Sequence, residues 1–212
     1  MATSPKPMYD GLIFDFFGVL TFNMVEVISH FEDREGLTRG TFLHAWADPR
    51  GQELFRQLEL GHISQTDWNN GFAALMGASI SSDNLMARYL HDAFPAHHML
   101  KIARQARSAG IKTAVLSNSL GREPYDPYAG FDLHGTFDEV VLSSDHGIRK
   151  PDPAIFHLVL DKLGVPAAKC LFLDDSEKNL ATAQHLGITP LLALDEKVAS
   201  SRLRRLLDLP SL

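Results

Sequence analysis

Apolar residues fall along this chain in two alternating patterns. Five short runs show little polar alternation: Leu12-Ile13-Phe14 after Gly11, then "IKTAVLS" (111–117), "EVVLS" (139–143), "CLFLD" (170–174) and "TPLLAL" (189–194). Runs of that length and composition predict strands covered on both faces. Longer stretches with helical spacing separate several of them. "PAHHMLKIARQARSAG" precedes the second strand and closes on Gly110. In "DPAIFHLVLDKLG", Asp152 is the expected N-cap, Pro153 the first helical residue and Gly164 the stop. Its Ile155, Leu158, Val159 and Leu163 share one face. "SEKNLATAQHLG" ends the same way at Gly187. Strands alternating with helices predict an α/β fold, a parallel sheet doubly wound by helices on both faces.

Residues 23–94 break the alternation. They contain no strand-like run, only helical stretches: "EVISHFEDREGL", "GQELFRQLEL", "SQTDWNNGFAALMG" and "SSDNLMARYLHDAF". Ser64 and Asp67 are spaced for a capping box. The expectation is a helical cap, 23–94, inserted into a core made of 9–22 and 95–212. An insert after a strand's carboxyl end overlies the crevice where open α/β sheets bind ligands. His44, Trp46 and Glu53 are candidate lid contacts, with helix-face packing the expected role of Trp46.

The same crevice collects the candidate chemistry. The first strand ends in Asp15, the second in Ser117-Asn118, and the fourth in Asp174-Asp175, while the loop "SSDHGIRKPDP" supplies Lys150. Three carboxylates in one cleft raise each other's pKa unless a cation lies between them. Oxygen ligands suit a hard ion, and Mg²⁺ takes one or two carboxylates while keeping sites for water and phosphate oxygens. Lys150 and the Ser117 hydroxyl offer a positive charge and a donor to a phosphoryl group. A carboxylate beside such a group is a candidate nucleophile. These residues point to phosphoryl transfer from a small-molecule phosphate ester through an aspartyl-phosphate. Taken singly they also have plainer readings, as turn residues, helix caps or a solvated lysine.

Composition narrows the setting. The chain has 212 residues, 45% hydrophobic and 22% charged, with a net charge of −6 and scattered Lys and Arg, which argues against nucleic acid. The lone cysteine, Cys170, excludes an internal disulfide, fits a reducing cytoplasm and reads as a small buried hydrophobe. The start, "MATSPKPM", lacks the apolar segment of a signal peptide and reads as a loose tail. No apolar run reaches the ~18 residues of a membrane span. A cytoplasmic monomer or homodimer is expected.

The four motifs, in this order from Asp10 to Asp195, resemble the haloacid dehalogenase-like hydrolases. Asp15 matches the first motif, Ser117-Asn118 the second, Lys150 in "GIRKPDPAIF" the third and Asp174-Asp175 in "FLDDSEKN" the fourth. The "LGHISQTDW" stretch resembles the branch with α-glucose-1-phosphate phosphatases and the phosphatase domain of soluble epoxide hydrolase. The resemblance implies a Rossmann-like core with a helical cap, Asp15 as nucleophile, and Ser117, Asn118 (through its backbone amide) and Lys150 on the phosphate. It implies Mg²⁺ held by Asp15, the Phe17 backbone carbonyl, Asp174 and Asp175. Most phosphatases of this family carry an acid/base aspartate where Phe17 stands; dehalogenases usually have an aromatic residue there. Two alternatives therefore stand beside a phosphatase. One is a metal-independent 2-haloacid dehalogenase, which adjacent acids at 174 and 175 oppose by repelling a substrate carboxylate. The other is a degenerate phosphate-binding member.

Overall fold

Five strands make one parallel sheet in the order β3-β2-β1-β4-β5: β1 (Gly11–Phe14), β2 (Lys112–Ser117), β3 (Glu139–Leu142), β4 (Cys170–Asp174) and β5 (Thr189–Leu192). The computed structural model describes residues 8–208, so the N-terminal tail expected at 1–8 lies, apart from Met8, outside the described residues. In β1, Leu12 and Phe14 face one helical layer while Ile13 faces the other, and none of the three is exposed. Covering both faces is why these runs lack polar alternation. Helices α6 (His97–Ser108), α7 (Leu133–Thr136) and α10 (Glu196–Leu207) pack against the first face. Helices α8 (Pro153–Leu163) and α9 (Glu177–His185) pack against the second.

The capping signals read from sequence are in place. Asp152 accepts a hydrogen bond from the Ala154 N–H, with Pro153 opening α8, and Gly164 closes it at φ 65°. No expectation covered α10, whose N-cap Asp195 accepts from the Val198 N–H and whose Ala199, Leu203 and Leu207 are buried.

Between β1 and α6 the chain forms only helices: α1 (Met24–Arg34), α2 (Thr41–Ala47), α3 (Pro49–Glu59), α4 (Gln65–Met76) and α5 (Leu85–Tyr89). The Ser64–Asp67 capping box opens α4 with both reciprocal bonds made. Phe31, Phe42, Trp68 and Phe72 are buried in a separate hydrophobic cluster within this insert. The short α2 has no local cap. The buried carboxylate of Glu32, on α1, accepts from the N–H groups of Gly40 and Phe42 at 2.9 and 2.8 Å. A side chain eight to ten residues upstream thus satisfies the helix start, so the sequence shows no capping signal there.

A single side chain bonds the insert to the loop after β2. Gln65 is 1% exposed; its amide donates to the carbonyls of Leu120 and Tyr125, both at 2.8 Å, and accepts from the Tyr125 N–H at 3.1 Å. Gly121 keeps that space open: at φ 78°, a Cβ there would come within 3.1 Å of the Gln65 side chain.

Candidate active site

β1 lies between β2 and β4, with Phe14 in register with Leu173, so Asp15 and Asp174 stand side by side at the sheet's carboxyl edge. Lys150 joins them. Its Nζ is 2.7 Å from Asp15 Oδ1 and 2.8 Å from Asp174 Oδ2, and the side chain is 1% exposed. Burial alone would push the Lys150 ammonium toward neutrality, but the carboxylates of Asp15 and Asp174 overcome that and hold it charged. The Phe172 ring lies 5.5 Å below the same nitrogen.

The two carboxylates are held differently. Asp15 Oδ1 accepts from the Phe16 N–H as well as from Lys150, and Oδ2 makes no hydrogen bond among the described residues. Asp174 is saturated: Oδ1 accepts from the Ser176 N–H and Asn179 Nδ2, and Oδ2 accepts from Lys150 and Asn179 Nδ2. Asp175 completes the group, and one oxygen from each of Asp15, Asp174 and Asp175 falls within 4.8 Å of the others. Burial and the neighbouring Asp174 raise Asp175 to about 6, and burial with Asp174 raises Asp15 well above the usual carboxylate range. Three acids with one lysine among them leave an excess of negative charge, which a divalent cation fits. Gly18 closes against this group: a Cβ there would lie 2.4 Å from Asp175 Oδ2, and its φ of 81° favours glycine.

Ser117 and Asn118, at the end of β2, hydrogen-bond to neighbouring protein groups. Ser117 is fully buried, and its hydroxyl meets the Tyr128 hydroxyl at 3.1 Å. The Asn118 side chain accepts from the Lys150 N–H at 2.8 Å and donates to the Lys150 carbonyl at 3.1 Å. Phe17 is half-buried beside Asp15, its ring edge-on to Phe16 at 4.9 Å and 6.0 Å from Tyr128. Tyr128 and Asn179 carried no signal of their own in the sequence. Tyr128 lies in a loop far from any strand end, and Asn179 reads as one polar residue in a helix.

Above these groups opens a cavity of about 910 Å³, which both Asp15 and Asp175 line. The insert forms its other side. Trp46 lines it and is 48% exposed, so the packing role expected for Trp46 falls instead to Phe42 and Ala45. Neither His44 nor Glu53 is on the wall; Glu53 pairs with Arg56 on the outer surface of α3. Glu59, at the end of α3, reaches Arg149 at 2.5 Å. Burial raises Glu59 to about 7 against the pull of Arg149 and Lys150.

A family model described as a hydrolase, haloacid dehalogenase-like hydrolase, matches residues 9–187. Among curated proteins, the chain is 29% identical over 95% of its length to mouse acyl-CoA dehydrogenase family member 10, covering 19% of that protein. It is 26% identical over 91% of its length to rat bifunctional epoxide hydrolase 2, covering 38% of it. Over 49% of its length it is 25% identical to glyceraldehyde 3-phosphate phosphatase of Methanocaldococcus jannaschii, covering 46% of that enzyme. The chain thus spans less than half the length of these relatives. Among solved structures, a predicted HAD-like family hydrolase from Porphyromonas gingivalis superposes with a TM-score of 0.70 at 25% identity, covering 93% of this chain and 98% of that one. L-2-haloacid dehalogenase from Xanthobacter autotrophicus, with chloropropionic acid covalently bound, gives 0.64 at 20% identity over 86% of this chain and 76% of that one. The fold therefore does not choose between phosphate and haloacid chemistry.

Proposed function

Because this chain belongs to the haloacid dehalogenase-like hydrolases, we propose that it is a magnesium-dependent phosphatase of a small phosphate ester, with Asp15 as nucleophile. The observation that carries this reading is the packing of Asp15, Asp174 and Asp175 around one lysine. A dehalogenase would have to bring a substrate carboxylate against that excess of negative charge. A phosphate needs the counter-ion that the same charge attracts.

Asp15 Oδ2, the oxygen without a hydrogen bond, attacks phosphorus as the P–O bond to the leaving group breaks, giving an aspartyl-phosphate and an alkoxide that takes its proton from water. A water then attacks the same phosphorus, returning the Asp15 carboxylate and releasing phosphate. Lys150 neutralises charge on the transferring oxygens, and Asn118 fixes its backbone. The Ser117 hydroxyl and the Asn118 backbone N–H bind phosphate oxygens, with Tyr128 orienting the hydroxyl. Bound Mg²⁺, held by Asp15, Asp175 and the Phe17 backbone carbonyl, would supply charge neutralisation. Asp174, whose oxygens are already engaged, sets the position of Lys150 rather than offering a free ligand. Residues 23–94 act as a cap that chooses the substrate and excludes water. Phe17 supplies no proton, so turnover favours esters with good leaving groups.

The test is phosphate release from a panel of phosphate monoesters with and without Mg²⁺, beside chloride release from 2-chloropropionate. Metal-dependent phosphate release with no chloride is expected. Chloride release without metal overturns the reading, and so does phosphate binding with no turnover of any ester.

A further inference from the structure

The cavity over Asp15 is far larger than a phosphate group, and at about 910 Å³ it is near the upper end for small-molecule sites. Its two halves differ in chemistry. The sheet edge supplies Asp15, Lys150 and Asp175, whereas the insert supplies a nearly continuous apolar wall. Val25 and Ile28 are spaced i,i+3 on α1, and Leu43 and Trp46 have the same spacing on α2, so each pair lies side by side. Val25, Leu43 and Trp46 lie outside the insert's own core, which takes Val27 and Phe31 from α1 and Phe42 and Ala45 from α2, while Ile28 packs partly against that core. Val25 is 66% exposed, Leu43 43% and Trp46 48%. Three of the nine exposed large hydrophobic side chains among the described residues therefore line this one cavity.

Polar partners are scarce on the same wall. Glu59 is the one charged side chain that the insert contributes among the described residues, and its Oε2 faces Arg149 Nε at 2.5 Å without a hydrogen bond between them. The Tyr89 hydroxyl belongs to a residue only 5% exposed. A sugar or glycerol moiety placed there would lose water from several hydroxyls with little to replace it. Near the nucleophile, the side chain of Phe17 continues the apolar lining from the insert to Asp15.

We infer that the ester this site takes carries an extended apolar group, read by Val25, Ile28, Leu43 and Trp46, with its phosphate at Asp15 and Lys150. The phosphate end of this inference rests on the phosphatase reading above; the apolar end rests on the wall alone. Specificity is then set by chain length and area rather than by hydroxyl pattern.

Alkylphosphonates test this without turnover, because their C–P bond is not hydrolysed. Calorimetric titration of butyl-, hexyl- and octylphosphonate into the Mg²⁺-loaded protein should show affinity rising about two- to fourfold per methylene. Trp46→Ala and Val25→Ser, at exposed positions that leave the fold intact, should flatten that slope, with the loss in affinity growing from butyl- to octylphosphonate. In parallel, kcat/KM for octyl phosphate should exceed that for butyl phosphate, whose leaving group is of the same acidity, at least tenfold. A flat length dependence overturns the inference. Equal losses at every chain length do so too, because they would mean that the wall only helps the insert close. If no ester is hydrolysed while the phosphonate slope persists, the phosphatase reading fails and the apolar site stands.

Discussion

One side chain, Asn118, holds Lys150 by both of its backbone polar groups, accepting from its N–H at 2.8 Å and donating to its carbonyl at 3.1 Å. The lysine that bridges Asp15 and Asp174 is therefore aimed from the end of β2, a strand to which it does not belong. Asn118→Ala should leave the fold in place and lower kcat about 10- to 100-fold, the scale of a misplacement near 1 Å. Lys150 itself would still be present, so the loss should fall on kcat more than on KM. A wild-type kcat in this variant would show that the clamp is dispensable.

Asp15→Asn should abolish turnover while retaining the fold, since an amide cannot form the covalent intermediate. Activity above about one per cent of wild type would argue against a nucleophile at this position. Asp175→Asn should raise the Mg²⁺ concentration needed for half-maximal rate, and Asp174→Asn should instead loosen Lys150. EDTA should remove activity, and excess Mg²⁺ should restore it.

Replacing Lys150 by methionine removes the cation between two carboxylates that lie almost out of solvent. Breaking such a pair costs about 3–5 kcal/mol. Denaturant unfolding should report that loss, and saturating Mg²⁺ should recover part of it by standing in for the charge. Equal stability with and without the ammonium would contradict the electrostatic role given to it here.

The acids also set a pH dependence. Glu59 rises from 4.5 to about 7 and Asp175 from 3.8 to about 6 in the folded chain, both chiefly through burial. A carboxyl with a raised folded value binds a proton that the unfolded chain has already released, so it favours folding at low pH. That contribution is lost as pH rises through about 6 and 7. The metal-free protein should therefore melt at a lower temperature at pH 8 than at pH 5.5. Mg²⁺ should narrow the difference through Asp175, and Glu59→Gln should narrow it independently. Thermal melts at the two pH values, for wild type and variant, decide the point.

Phe17→Asp should return a proton donor next to the nucleophile. The gain should be largest for poor leaving groups, up to about 10²- to 10⁴-fold. Comparing p-nitrophenyl, glucose-1- and glycerol phosphates measures it as a slope across the series. A flat wild-type dependence on leaving-group acidity would mean that a proton already comes from elsewhere, with Glu59 the carboxyl that the insert places on the cavity wall.

Much of this arrangement is legible in the sequence because local chemistry encodes it. Asp15 and Asp174 end apolar runs that read as buried strands, Asp152 caps the helix that follows it, and Ser64 and Asp67 close the capping box at the start of α4. What escaped is encoded at a distance. The start of α2 depends on Glu32 from another helix, and Asn118 serves a lysine 32 residues away. Trp46 has the helical spacing of a core residue, yet the packing of Phe42 and Ala45 leaves it on the cavity wall. Spacing gives a residue's face, and only the assembled neighbours decide whether that face meets core or ligand.

The three hydrogen bonds of Gln65 bear on how such proteins can be recombined. Grafting a different helical insert onto this sheet would leave two carbonyls and an N–H around Leu120 and Tyr125 without partners. Each unsatisfied group costs roughly 1–3 kcal/mol when buried, a large share of a domain's stability. The insert is thus not interchangeable cargo. Chimeras that keep a glutamine at this point of the junction should fold, and those that lack it should need a replacement loop from the same donor as the insert.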